Sequence, residues 1–349
     1  MLYNVSIPIK INNTSNDVLV AYNMSINLYN NEHNMFVNLH KDQCNNDKII
    51  FNGNLFNEFK KYNYVTTATL TNWANYEIIK IQKRVREIAI MLFPNINVNE
   101  FTYSELLKLF STNDSQKFKN NKEVEDLYHS EINKNKNYFQ SYLTEYEEPQ
   151  LYIFNDKNKA GGYFYINTFY LNTFDFENMR KYEIQSLTLH ETIPGHHSQL
   201  TTCVYSDSVD YLTLLFSRYF NGFIEGWGLF AETLCNYDNL WNEFGMLEMR
   251  MMRILRVVID INLNAKGAHI DDMIKYMSEY LTYGIETIKS EIYRYIADPA
   301  QALCYYIGYY ILTGYFEKIP SNDKVNGNKL KLYNEFLHNG HRPLYRFIN

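Results

Sequence analysis

The stretch that decides the reading is residues 187–200, LTLHETIPGHHSQL. Three histidines, His190, His196 and His197, fall within eight positions, and Glu191 directly follows the first. A His-Glu pair on a helix is the first half of the HExxH metal motif. There, one helical turn brings the second imidazole back to the ion, and the glutamate faces the water that the ion activates. Here the fourth position after His190 is Pro194, which has no N–H for the His190 carbonyl and crowds it with its ring. Gly195 adds backbone freedom, so the helix must bend, widen or bulge. With Pro-Gly looped out, the remaining residues read H-E-T-I-H and His196 becomes the second ligand. On a continuous helix His197 returns to the face of His190, but roughly 10 Å further along the axis, which is far for two imidazoles sharing an ion at about 2 Å. His196 is the favoured ligand, and His197 is an alternate ligand or a donor behind it. A plain helix stop at Pro-Gly, with chance histidines, is the bland alternative.

Outward from this motif, a third ligand is expected on a following helix. In FIEGWGLFAETLC, Phe223, Trp227, Phe230 and Leu234 form an apolar stripe, while Glu225 and Glu232, seven apart, share another. Gly226 and Gly228 weaken a helix by roughly 1 kcal/mol each relative to Ala, which is tolerated where another backbone packs closely. Solvated helix glutamates are the alternative, but Trp and Phe flank this pair. Further on, Leu247, Met251, Ile254, Val258 and Ile261 read as the core face of a helix, and Arg256 and Asp260 are spaced to pair. Asp298-Pro299 reads as a helix start, with Asp as N-cap and Pro in the first helical position. Glu291 and Arg294 close the preceding helix. Gln301 and Tyr305 follow, four apart on one face.

Composition narrows the function classes. The chain has 349 residues, 46% hydrophobic and 21% charged, enough for a real core and too apolar for general disorder. With 33 basic and 39 acidic residues there is no basic surplus to neutralise phosphates, so nucleic acid is not an expected partner. No apolar run approaches the roughly 18 residues of a membrane span. MLYNVSIPIK does not read as a signal peptide. Cys44, Cys203, Cys235 and Cys304 form no CxxC pair and read as free thiols in a reducing compartment. A cytoplasmic location is the expectation.

Residues 1–54 alternate in short stretches such as VSIPIKI, VLVAYNMSINLY and KIIF, and read as a strand-rich, irregular extension. Residues 55–349 read as one mainly helical domain. TNWANYEIIKIQKRVREIAIMLF has the period of an amphipathic helix. PQLYIF and GGYFYINT read as two strands joined by the hairpin loop NDKNKAGG, forming a small β element beside the motif. An extended peptide can pair with GGYFYINT, which makes Tyr165 a candidate substrate contact. PSNDKVNGN reads as a loop, and LYNEFLHNG as a last helix stopped by Gly340.

HETIPGHHSQL, EGWGLFAE, RVVID, EIYRYIADPAQALCYYIG and FLHNGHRPL, in this order and spacing, resemble the domain-of-unknown-function 885 family, whose signature is HExxPGHH. The resemblance is good from about residue 150 to the end and extends back to about residue 55. It implies a mostly helical gluzincin, with His190, His196 and Glu225 as zinc ligands and Glu191 as general base. It also implies Arg294, Gln301 and Tyr305 as contacts for the oxyanion or a substrate carboxylate. Members are usually longer, so the chain corresponds to a C-terminal catalytic half. Two residues depart from the pattern. Asn264 stands where the family carries histidine. Pro299-Ala300-Gln301 replaces Pro-Gly-Gln, a change expected to be tolerated because Ala suits a helix. The implied activity is zinc-dependent hydrolysis of a peptide, by an exopeptidase or dipeptidase rather than an endopeptidase. The rivals are hydrolysis of a non-peptide amide and a non-catalytic member of the family.

Overall fold

A computed structural model describes residues 67–144, 146–156, 161–165, 167–217, 220–318 and 326–347. The strands expected in residues 1–54, and Cys44, lie outside these residues. All the described residues fall within one compact unit, Asn52–Asn349.

The fold is mainly helical, as the periodicities predict. Helix α1 (Thr67–Leu92) buries Leu70, Ala74, Ile78, Ile81, Val85, Ile88 and Ala89, a stripe with steps of three and four. Helices α2 (Tyr103–Ser111) and α3 (Asn121–Phe139) follow. A capping box between Thr102 and Glu105 starts α2, and the Asn120 side chain, accepting from the Glu123 N–H, starts α3. After the strands come α4 (Ile184–Glu191), α5 (His196–Tyr205), α6 (Tyr211–Phe216) and α7 (Asn221–Ala231). The longest helix, α8 (Leu240–Lys266), runs through the middle of the core and packs on α1, α4, α10 and α11. It is buried almost all round from Ile254 to Ile261, which brings Arg256 and Asp260 inside with the apolar residues. Helices α9 (Ile270–Ser278), α10 (Ile285–Ala297), α11 (Leu303–Glu317) and α12 (Asn326–His338) complete the domain.

The strands differ from expectation. The sheet has three, β1 (Gln150–Phe154), β2 (Gly162–Tyr165) and β3 (Thr168–Asn172), in the order β1-β3-β2. β1 runs parallel to β3, and the antiparallel hairpin is β2–β3, with Asn167 between them. NDKNKAGG is therefore no hairpin loop, because β1 and β2 do not pair with each other. Asn167, with φ of 59°, makes the tight turn, and the sequence reading ran GGYFYINT through that point as one strand. Phe169 and Leu171 pack with Phe118, Val124, Tyr128 and Ile184, which seats the sheet beside the start of α4.

Two other local readings are corrected. The last helix begins at Asn326, inside PSNDKVNGN. Asp298 does not start a helix: its N–H bonds the Arg294 carbonyl at 3.0 Å and closes α10. Residues 299–302 then form a turn before α11, in which Ala300 has φ of 68° and gives its N–H to Asp260 Oδ2 at 3.0 Å. Ala300 thus occupies the left-handed region, where Ala is worse than Gly and helix preference is irrelevant.

Helices α7 and α11 cross where Gly226 meets Gly308. A side chain at either position would run into the backbone of the other helix. This close approach sets Glu225, one residue from the crossing, against the first turns of α11. Gly308→Ala is expected to destabilise the fold by about 2 kcal/mol, overpacking outweighing the gain in helix preference. Ala300→Gly is expected to stabilise it by about 0.5–1 kcal/mol. Urea unfolding of both variants checks the opposite signs.

Candidate metal centre

Helix α4 does not bulge at Pro194; it ends. Thr192 closes it, giving its N–H and its hydroxyl to the Thr188 carbonyl at 2.9 and 2.7 Å. The Ile193–Pro194 peptide is cis, and Gly195 caps the start of α5, accepting the Gln199 N–H at 3.0 Å. Any side chain at Gly195 would collide with the carbonyls of Leu189 and His190. Trp227 Nε1 donates to the Pro194 carbonyl at 2.9 Å and ties the turn to α7. The two histidines of the motif therefore sit on separate helices, with their ring centroids 4.7 Å apart and their planes at 83°.

Among the described residues, His190, His196 and Glu225 form a group with ligand atoms within 4.8 Å of one another. Glu225 Oε2 is 3.4 Å from His196 Nε2 and 3.7 Å from His190 Nε2. Tetrahedral ligands at about 2.0–2.2 Å from an ion lie roughly 3.3–3.6 Å apart, so the spacing fits a small divalent metal.

The other side of each ring fixes its tautomer. His190 Nδ1–H donates to Glu232 Oε1 at 2.8 Å, and Ser186 Oγ holds the second oxygen of Glu232 at 2.7 Å. His196 Nδ1–H donates to Gln199 Oε1 at 3.2 Å. Both Nε2 atoms thereby face Glu225, and the Glu232–His190 pair is the support that metal-binding imidazoles usually have. Gly228 makes room for this, since a Cβ there would lie 2.6 Å from His190 Cε1.

The electrostatics without an ion show how the acids are balanced. Burial opposes the charge on Glu225, but hydrogen bonds from His190 and His196 hold it well below the usual carboxylate range. Burial likewise opposes the charge on Glu232, and the His190 hydrogen bond leads the effects that lower it. For His190, burial pulls down, but hydrogen bonds to Glu225 and Glu232 raise it to about 9. The site is built around positive charge.

His197 is not a ligand here. Its Nε2–H donates to the Glu147 carbonyl at 2.8 Å, its ring packs edge-on against Phe164 of β2, and burial lowers its pKa to about 4. Glu191, beside His190 at the end of α4, is buried, and its Oε2 has no hydrogen-bond partner among the described residues. Tyr305 is half-buried in the first turn of α11. Burial and the negative charge of Glu225 keep its phenol protonated. Arg294 lies on the last turn of α10, 3.2 Å from Glu291. Gln301 is held through its N–H to the Asp298 carbonyl at 3.3 Å, and Tyr165 ends β2. The geometry thus joins His190, His196 and Glu225 directly, Glu191 through its field on His190, and Tyr305 through the field of Glu225.

Sequence reasoning missed three supports: Gln199, Ser186 and the Trp227 indole. Two of them had a signal, since Ser186 is four before His190 and Gln199 three after His196 on their helices. Glu232 was noticed as sharing a stripe with Glu225, but α7 ends at Ala231, and Glu232 turns inward as its cap residue while Leu234 lies beyond the helix. Arg256 does not pair with Asp260: it reaches Glu291 on α10 at 3.0 Å, and Asp260 accepts from Ala300.

Residues 54–344 match the family model DUF885, described as a bacterial protein of unknown function. No curated protein matches the chain. Among solved structures, the "putative lipoprotein from Colwellia psychrerythraea" superposes with a TM-score of 0.72 at 21% identity, covering 81% of this chain and 51% of that one. The "putative lipoprotein of unknown function from Shewanella oneidensis" gives 0.69 at 17% identity, covering 91% and 63%. At these identities the likeness is one of fold. The chain spans about half to two thirds of the length of these two proteins. No helix among the described residues is long and apolar enough to cross a membrane.

Asp260 generates a pH prediction. Burial is the main cause that lifts its pKa from 3.8 to about 7. Between those values the unfolded chain releases a proton that the folded chain keeps, so stability falls as pH rises and stays lower above pH 7. Asp260→Asn retains an acceptor for Ala300 and removes the burial of charge. The variant is expected to match the wild type near pH 4 and exceed it by a few kcal/mol at pH 8. Equal differences in urea unfolding at the two pH values would refute this.

Proposed function

We propose that this chain, which belongs to the DUF885 family of bacterial proteins, is a zinc-dependent hydrolase of peptide bonds, an exopeptidase or dipeptidase rather than an endopeptidase. The observation that carries this reading is the pair of imidazoles whose Nδ1–H groups are engaged by Glu232 and Gln199, leaving two Nε2 atoms aimed at Glu225. His190, His196 and Glu225 would hold the ion, and two nitrogens and a carboxylate with an open position suit zinc. Bound zinc supplies Lewis acidity, bringing the pKa of water from 15.7 toward about 7.

The rest is work for the chain itself. Glu191 is the base: its buried carboxylate, with one oxygen unpartnered, takes the proton of the attacking water and returns it to the leaving amine. Tyr305 stays protonated and is available to donate to the oxyanion that forms on the carbonyl. Among the described residues strand β2 lies at an edge of the sheet, and Tyr165, at its end, is assigned to the substrate. Gln301 is assigned a substrate contact on its place in the turn before α11. The substrate is a peptide or small amide. Free thiols at Cys203, Cys235 and Cys304 suit a reducing, cytoplasmic setting, whereas two structural neighbours carry the name lipoprotein.

Metal content and turnover test the reading together. The wild type offered zinc should hold about one ion per chain. His196→Ala and Glu225→Ala should lose it, and His197→Ala should keep it. Glu191→Gln should keep the ion while turnover falls by about 10³-fold. A folded wild type that takes up no stoichiometric zinc removes the proposal.

A further inference from the structure

Two arginines beside Tyr305 converge on one carboxylate oxygen. Arg256 is buried in the middle of α8, with Nη2 3.0 Å from Glu291 Oε2 and Nε 3.2 Å from Tyr295 Oη. Arg294 brings its own Nη2 to the same Glu291 oxygen at 3.2 Å, and Tyr295 Oη donates to that oxygen at 2.8 Å. One carboxylate therefore serves two guanidiniums, which meet on a single atom. Arg256 Nη1 and Arg294 Nε are buried with no hydrogen-bond partner among the described residues, and Arg294 Nη2 makes the ion contact with Glu291 without a hydrogen bond. Asp298 lies in the field of Arg294, and the other acids nearby are committed elsewhere. Asp260 accepts from the Ala300 N–H, while Glu183 and Glu232 lie in the field of Arg253.

Open donors on a buried cation are costly unless an anion completes them. A guanidinium's planar fork suits a carboxylate, which takes two parallel N–H bonds. The pair also sits beside the ligand set. Arg256 Cζ stacks 4.5 Å from the centroid of the Tyr305 ring, and Tyr305 lies in the field of Glu225. The side chain of Arg294 is 38% exposed although its Nε is buried, so the pair lies just beneath the surface.

We infer that Arg256 and Arg294, joined on Glu291 and flanked by Tyr305, recognise the free C-terminal carboxylate of the substrate. The bond presented to His190, His196 and Glu225 is then one near the end of the peptide. The placement of the cleaved bond rests on the hydrolase reading; the carboxylate site does not.

Calorimetric binding separates the two. Glu191→Gln protein, offered zinc, is titrated with N-acetyl-Ala-Tyr, with its C-terminal amide, and with the amide of N-acetyl-Ala-Glu. The free acid is expected to bind about 30-fold more tightly than either amide, as a charge-assisted bidentate contact does. Arg294→Gln and Arg256→Gln should each reduce it to the level of the amides with zinc content unchanged, and Arg256→Lys should fall between. Because Arg256 is buried, the half-exposed Arg294 keeps the test decisive if the Arg256 variants do not fold. Equal binding of acid and amide overturns the inference. So does equal binding of the glutamyl amide, which would assign the site to a side-chain carboxylate. Preference for the free acid with no turnover of it by the wild type upholds the carboxylate site and removes the hydrolase.

Discussion

Two carboxylates stand on either side of one imidazole, one half-buried and one closed off from water. Glu225 and Glu232 both approach His190, and Glu232 is wholly buried. Unpaired, such acids would be costly; here they are tolerable because His190 and His196 place donors or positive charge between them. The rest of the site follows from that constraint. Any arrangement that moved His190 by an ångström would leave a buried acid without its partner.

Helix α7 is what holds the arrangement. It supplies Glu225 and, at its end, Glu232. Gly226 lets it lie against α11. Gly228 admits the His190 ring, and Trp227 holds the Pro-Gly turn that separates the two motif histidines. Five of eight consecutive residues thus contribute, three of them meeting His190. The sequence reading expected both glycines to face a backbone. Gly226 does, while Gly228 faces an imidazole, a distinction that spacing alone does not carry.

Legibility followed the range of the interaction. Helical periods are local, and so α1 and the core face of α8 were readable residue by residue. The errors lie where a distant group decides. NDKNKAGG has turn composition, but the pairing of β1 with β3 depends on the whole sheet. Asp298-Pro299 has the composition of a helix start, yet the Asp260 carboxylate, from another helix, captures the Ala300 N–H and holds a turn there. Arg256 had a partner four residues away by spacing and found a better one on α10. Each is a tertiary contact overriding a local preference.

In the ordinary HExxH arrangement one continuous helix dictates how far apart the two imidazoles stand. Here that ruler is broken at Thr192, and α4 and α5 are positioned by outside braces: the Trp227 indole on Pro194, the carbonyls packed over Gly195, and Glu232 behind His190. The distance between His190 and His196 is therefore a property of the assembled domain. The constellation has no existence in an isolated 187–200 segment, because the groups that set its spacing lie on α7 and at its end.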